Sequence, residues 1–116
     1  MEELEPAQIE ELEALLKANR QEIEDRLRAT LEGAKPVDLD EPIGRLSRVD
    51  AIQAQQITRA QRGRDEASLK MIKAALARIA RGDYGLCARC DEPIGLPRLR
   101  ARPESAMCVG CRSAAE

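Results

Sequence analysis

The chain carries four cysteines, Cys87, Cys90, Cys108 and Cys111, arranged as CxxC, seventeen intervening residues and a second CxxC, and it has no histidine. Thiolates in this pattern are a donor set for one tetrahedral zinc ion. A two-residue gap lets both sulfurs of a pair reach an ion about 2.3 Å away, and the loop between the pairs lets the second pair close the opposite side. Four protein ligands leave no position for water or substrate. Such an ion is structural, and its binding energy becomes folding energy for a segment too short and too polar to hold itself together. Two other uses of four thiols compete with this one. A dithiol redox pair normally follows a strand at the start of a helix in a βαβ setting, which the sequence lacks, and a disulfide framework belongs to an oxidising compartment. The sequence opens Met1-Glu2-Glu3 rather than with a basic and then apolar leader. No run approaches the roughly 18 apolar residues of a membrane span, so a cytoplasmic location with reduced thiols is expected.

The elements that must position these thiols are written in the rest of the composition. Of 116 residues, 34% are charged and Tyr84 is the only aromatic. A compact core normally takes much of its buried area from aromatic side chains, so this composition points to helices packed along a seam. Ile9, Leu12, Leu16, Ile23, Leu27 and Leu31 recur at three- and four-residue steps, omitting one turn at Asn19 and Arg20, and predict a helix from Pro6 to Glu32 with Gly33 as its stop. The stretch GAKPVDLDEPIGRL, with two prolines and two glycines, reads as a turn. A second helix is expected to start near Ser47, with Ser47 and Asp50 as a capping box, and to end at Arg81-Gly82-Asp83. Its apolar stripe is read as Val49, Ile57, Ala60, Ala67 and Met71, widened by Leu69, Ile72, Leu76 and Ile79.

Helices of about 26 and 35 residues reach about 40 and 52 Å, and a short turn folds them back into an antiparallel hairpin. Residues 1–32 hold ten acids against four bases, net −6, while residues 45–81 hold nine bases against three acids, net +6. An acidic helix beside a basic one favours that pairing over self-pairing of either, although each exposed pair is worth only about 0–1 kcal/mol. The fold class that follows is mostly α, built as a long antiparallel coiled-coil hairpin and a small metal module. The hairpin covers residues 1–81 with its tip at about 33–47. A four-cysteine zinc-finger module covers residues 82–116, with a short β-hairpin around Gly95 and a brief terminal helix opened by Cys108-Val-Gly-Cys111. Arg89, Arg98, Arg100, Arg102 and Arg112 are placed to offset the double negative charge of a zinc tetrathiolate or to serve a ligand.

The tract DYGLCARCDEPIGLPRLRARPESAMCVGC, preceded by a helical hairpin, resembles the DksA/TraR family of bacterial zinc-finger proteins that bind RNA polymerase. Tyr84-Gly85, Cys87-x-x-Cys90, Ile94-Gly95, Arg98-Leu99, Ala101-Arg102-Pro103 and Cys108-x-x-Cys111 carry the likeness. The resemblance implies a transcription regulator without catalytic activity, whose hairpin enters the secondary channel of the polymerase and brings an acidic tip near the catalytic centre. It implies no specific DNA binding and no membrane contact, and a monomer is expected.

Family members present an Asp-x-x-Asp-x-Ala tip. Here an ungapped alignment from the cysteines puts Ser47 and Val49 at the second Asp and the Ala, so the substitutes are Asp38, Asp40 and Glu41 before the turn and Asp50 and Ala51 after it. Asp50 also has the alternative role of cap partner to Ser47. The family responds to guanosine tetraphosphate. Arg102 and Arg112 match its basic positions, while Met71 stands where the family has a lysine, with Lys70 and Lys73 near it. Only five residues follow Cys111, so the longer terminal helix of larger members is expected to be missing. Two rival functions stay open: a zinc ribbon that binds nucleic acid directly, opposed by a pI near 5.4 and the lack of aromatics for base stacking, and a thiol oxidoreductase.

Overall fold

A computed structural model describes residues 4–31 and 45–115, and its first helix, α1, spans Pro6–Ala29. Glu5 is the N-cap and its backbone N–H donates to Gln8 Oε1 at 2.8 Å, while Pro6 sits in the first turn, where a missing N–H costs nothing. The helix ends sooner than the sequence predicts. Thr30 is the C-cap and its Oγ1 donates to the Arg26 carbonyl at 2.8 Å. Leu31 therefore lies past the helix and is exposed rather than on the seam. Gly33 and the acids Asp38, Asp40 and Glu41 lie outside the described residues.

The second helix, α2, runs unbroken over Arg45–Arg81. It begins before Ser47, so Ser47 and Asp50 fall within its opening turns instead of at a cap. It ends as expected. Gly82 takes the left-handed φ of 86° that a Cβ would oppose, and the N–H groups of Gly82 and Asp83 both reach the Arg78 carbonyl at 3.0 Å.

The two helices lie antiparallel, with Arg26 meeting Asp65 and Arg62 meeting the last turn of α1. Leu12 and Leu16, each 0% exposed, and Ile23 from α1 pack with Ile72 and Ala75 from α2, and Leu27, Leu69, Leu76 and Ile79 complete the seam. Each fully buried leucine is worth about 1.5–3 kcal/mol relative to an exposed one. The outer half of α2 does not follow the expected stripe. Val49 and Ile57 are 49% and 69% exposed, and Ala60 and Ala67 are exposed as well. Because Arg62 is level with Thr30, α1 has ended before it could cover Val49 or Ile57. At that level the face turned to α1 is polar and carries Gln61, Arg62, Asp65 and Ser68.

Asp65 is 4% exposed and accepts from Arg26 Nε at 3.0 Å, from Arg26 Nη2 at 2.7 Å and from Gln61 Nε2 at 3.3 Å. The Arg26 hydrogen bonds hold its carboxyl below the usual carboxylate range although burial opposes this. This pair runs against the segregation of charge: the base comes from the acidic helix and the acid from the basic one. A buried carboxylate needs a specific partner within reach, whereas net charge acts only diffusely through solvent.

Beyond Gly82 the chain packs back onto the open end of the hairpin. In place of a β-hairpin, the described residues hold a single antiparallel bridge, Leu86 with Pro93. Pro93 has no N–H to extend a ladder, and after Gly95 the chain enters the unpredicted helix α3, Leu96–Ala101, with Pro97 in its first turn. Leu99 of α3 is 0% exposed and joins the cluster of Leu12 and Leu16, while Arg100 Nε donates to Glu11 Oε2 at 2.9 Å across the surface. Gly85, at φ 98°, lies so near Leu4 that a Cβ would stand 2.9 Å from its Cδ1. A last helix, α4, spans Val109–Ala115. The molecule measures 64 × 29 × 20 Å.

This arrangement separates residues that the sequence pattern grouped together. Leu16→Ala is expected to destabilise the protein by about 2–5 kcal/mol, and Ile57→Ala by less than about 0.5 kcal/mol, as read from urea unfolding followed by helix circular dichroism.

Candidate functional site

Backbone hydrogen bonds bring the thiols together. Around the Leu86–Pro93 bridge, the Cys87 N–H donates to the Glu92 carbonyl at 2.8 Å and the Ile94 N–H to the Gly85 carbonyl at 2.9 Å. Inside that loop the Asp91 N–H returns to the Cys87 carbonyl at 2.9 Å, with Asp91 in the left-handed region at φ 62°. The second pair is tied to the first by the Ala88 N–H, which donates to the Ala106 carbonyl at 2.8 Å. Cys108 immediately precedes α4 and Cys111 lies in its first turn, so helical geometry turns both sulfurs the same way.

The sulfurs of Cys87, Cys90, Cys108 and Cys111 all lie within 4.8 Å of one another. A tetrahedron of zinc–sulfur bonds of about 2.3 Å has edges of about 3.8 Å, and the Cys90 and Cys108 sulfurs are 3.8 Å apart. The donor set also fits zinc in its surroundings. The Arg89 N–H points at Cys87 Sγ and the Cys111 N–H at Cys108 Sγ, both at 3.4 Å, which stabilises negative charge on sulfur. Burial resists ionisation of the Cys87 thiol, but backbone N–H groups of Cys108, Arg89 and Cys90 outweigh it and bring its pKa down to about 6. Cys111 is pushed up to about 12, because its thiol donates to Cys108, Cys90 and Cys87. One structural zinc fits these residues, with all four positions taken by protein.

Tyr84, which sequence reasoning left without a structural role, ties the start of the module to the segment before Cys108 and joins the buried cluster shared with the hairpin. Tyr84 is 8% exposed, its hydroxyl donates to the Pro103 carbonyl at 2.7 Å, and burial pushes its phenol up to about 12. Of the arginines expected to offset the metal's ligand charge, three are engaged elsewhere. Arg98 Nε donates to the Met107 carbonyl at 3.1 Å, Arg100 pairs with Glu11, and Arg102 lies 3.6 Å from Glu104.

The remaining site residues fall into two places. Arg102 and Arg112 line one recess of about 50 Å³, together with Met71 and Arg98. Arg98, expected from the sequence only as one of the arginines near the cysteines, stands beside Arg102 and Arg112 because it lies on the unpredicted α3. Lys70 and Lys73 are exposed on α2 and do not line this recess. Asp50 is exposed and Ala51 half-buried near the start of α2, about 45 Å from Arg81 at the helical rise per residue. No helix of the described residues is long and apolar enough to cross a membrane.

Comparison with known proteins agrees with this geometry. Residues 82–116 match the family model described as the prokaryotic dksA/traR C4-type zinc finger. The RNA polymerase-binding transcription factor DksA of Haemophilus influenzae is 40% identical over 55 residues, which are 47% of this chain and 38% of that one. The protein of the same name from Escherichia coli strain K12 is 28% identical over 112 residues, 95% of this chain and 72% of that one. Among solved structures, transcription factor DksA2 from Pseudomonas aeruginosa superposes with a TM-score of 0.79 at 32% identity, over 96% of this chain and 84% of that one. The DnaK suppressor protein from Agrobacterium tumefaciens gives 0.57 at 27% identity, over 91% and 92%.

Tyr84, the only aromatic residue, reports on the metal centre without a label. In the zinc-loaded protein its phenolate absorbance is expected to rise with a midpoint near pH 12. After a chelator removes the metal, the midpoint is expected to fall to about 10, the value of an exposed tyrosine.

Proposed function

This chain belongs to the DksA/TraR family of C4-type zinc-finger proteins, and from that premise we propose that it is a transcription regulator that binds bacterial RNA polymerase and has no catalytic activity of its own. The observation that carries the reading is the shape of the hairpin. An unbroken 37-residue helix, braced by α1 near the metal module, extends from a knob to a far end, and the whole molecule is 64 Å long but only 29 × 20 Å across. A rod of these proportions can enter a narrow pore that a globule of equal mass cannot. In this reading residues 1–81 are the inserted part and residues 82–116 the handle that stays outside. The pore is the secondary channel of the polymerase.

Charge supports the same direction of insertion. Asp50 and Ala51 lie near the N-terminal end of α2, at the far end from the cysteines, and Asp38, Asp40 and Glu41 precede that helix in the chain. Carboxylates delivered close to a magnesium-dependent centre alter its electrostatics and compete for its hard cation. Guanosine tetraphosphate is the second ligand of this reading. Arg98, Arg102 and Arg112 converge on one recess, and guanidinium groups suit phosphate because they can donate two parallel hydrogen bonds. Lys70 and Lys73 would add diffuse attraction from the exposed face of α2. The protein acts as a monomer in the cytoplasm and makes no specific DNA contact.

The test is a pull-down with purified core RNA polymerase followed by competition with another secondary-channel protein. Competition is expected, and binding that survives a saturating competitor overturns the channel assignment. Asp50→Asn with Ala51→Thr is expected to leave polymerase binding within about twofold, a surface change remote from the handle, and to abolish the effect on promoter output. An unchanged effect removes both residues from the tip.

A further inference from the structure

The polar cluster at the level where α1 ends belongs to neither the metal centre nor the proposed tip. Asp65 stands seven residues before Ile72 and at 4% exposure is as enclosed as the core, at the point where the apolar seam of Leu69, Ile72 and Leu76 gives way to polar groups. Both its oxygens accept from the Arg26 guanidinium, at 3.0 and 2.7 Å. Nearby on the same helix, Arg62 donates to the Leu27 carbonyl and, at 2.9 Å, to Thr30 Oγ1, which ties down the last turn of α1. Those carbonyls have no helical N–H of their own to accept. From this level α2 continues outward through Arg45–Gln61 for about 25 Å at the helical rise.

A seam of leucine and isoleucine is permissive in one respect. Sliding one helix by a turn, about 5.4 Å, again sets aliphatic groups against aliphatic groups. The same slide would part Asp65 from Arg26 and leave a buried carboxylate with Gln61 of its own helix but no cationic partner, which is unfavourable. Asp65 is buried at the edge of the apolar seam and its partner Arg26 is 41% exposed, so the pair can select one register without adding much strength.

We propose that Arg26, Asp65 and Arg62 are positioning residues that pin the register of α1 against α2 and so set how far the outer end of α2 stands from the zinc module. The effect on transcription rests on the proposed function. The register itself does not.

The test uses the zinc-loaded full chain and the double variant R26L/D65L, which exchanges the pair for leucines. Its Tm is expected to equal or exceed that of the parent, since removing both partners leaves no buried carboxylate unpaired while the half-exposed Arg26 contributes little by itself. In methyl NMR spectra the parent is expected to give one set of contacts between the side chains of Ile23 and Ile72, and the variant a second set or a displaced one. Polymerase binding through the module is expected to persist while the effect on promoter output is lost. The reversed pair R26D/D65R is expected to recover both the single set of contacts and the regulation. A single parent-like set in R26L/D65L overturns the proposal, and so does a lowered Tm, which would mean that the pair supplies strength instead of register. If the parent itself leaves promoter output unchanged, the functional reading fails, and the methyl contacts still decide the register.

Discussion

One apolar cluster holds both parts of this molecule. Leu12, Leu16 and Ile23 from α1, Ile72 and Ala75 from α2, and Tyr84, Cys87, Ile94 and Leu99 from the metal module form a single buried group. Neither part has enough of its own to fold well. The hairpin alone would leave Leu12 and Leu16 without Leu99 over them, and the module alone is a short segment of small helices and turns that depends on its metal. Zinc therefore acts through packing. By fixing the cysteines it presents Cys87, Ile94 and Leu99 as one apolar face, and that face covers the open end of the hairpin.

The parts of the fold written as apolar periodicity were legible in the sequence, and the parts written in polar contacts were not. The leucines of α1 lie where their spacing puts them, and four cysteines in two close pairs declare their geometry because coordination chemistry allows little else. On α2 the same reasoning picked Val49, Ile57, Ala60 and Ala67, which are exposed: Val49 and Ile57 lie past the end of α1, and where α1 is still alongside, the contacts run through Asp65 and Gln61, which look like a surface. Net charge misled in a related way. It assigned bases to one helix and acids to the other, yet the buried carboxylate is the aspartate of the basic helix and its partner the arginine of the acidic one. The helix α3 was read as a strand turn because Gly95 and Pro97 both punctuate chains, although a proline in the first turn of a helix is well tolerated. That helix is also what brings Arg98 beside Arg102 and Arg112.

The arrangement divides labour along its length. Near the cysteines, α1, α2 and α3 make a thick, well-packed base. At Arg26, Asp65 and Arg62 the packing becomes polar and directional. Outward from there α2 carries exposed Val49 and Ile57 on a slender support. On the proposed function, affinity would come from the base, reach from helix length, and regulation from a few groups at the far end.

The most direct measurement is an electron cryomicroscopy structure of the zinc-loaded chain bound to bacterial RNA polymerase. The account predicts α1 and α2 lying inside the secondary channel, the start of α2 nearest the catalytic magnesium, and the four-cysteine module at the channel mouth. A complex with the hairpin lying outside the channel, or with the cysteine module leading inward, would contradict it.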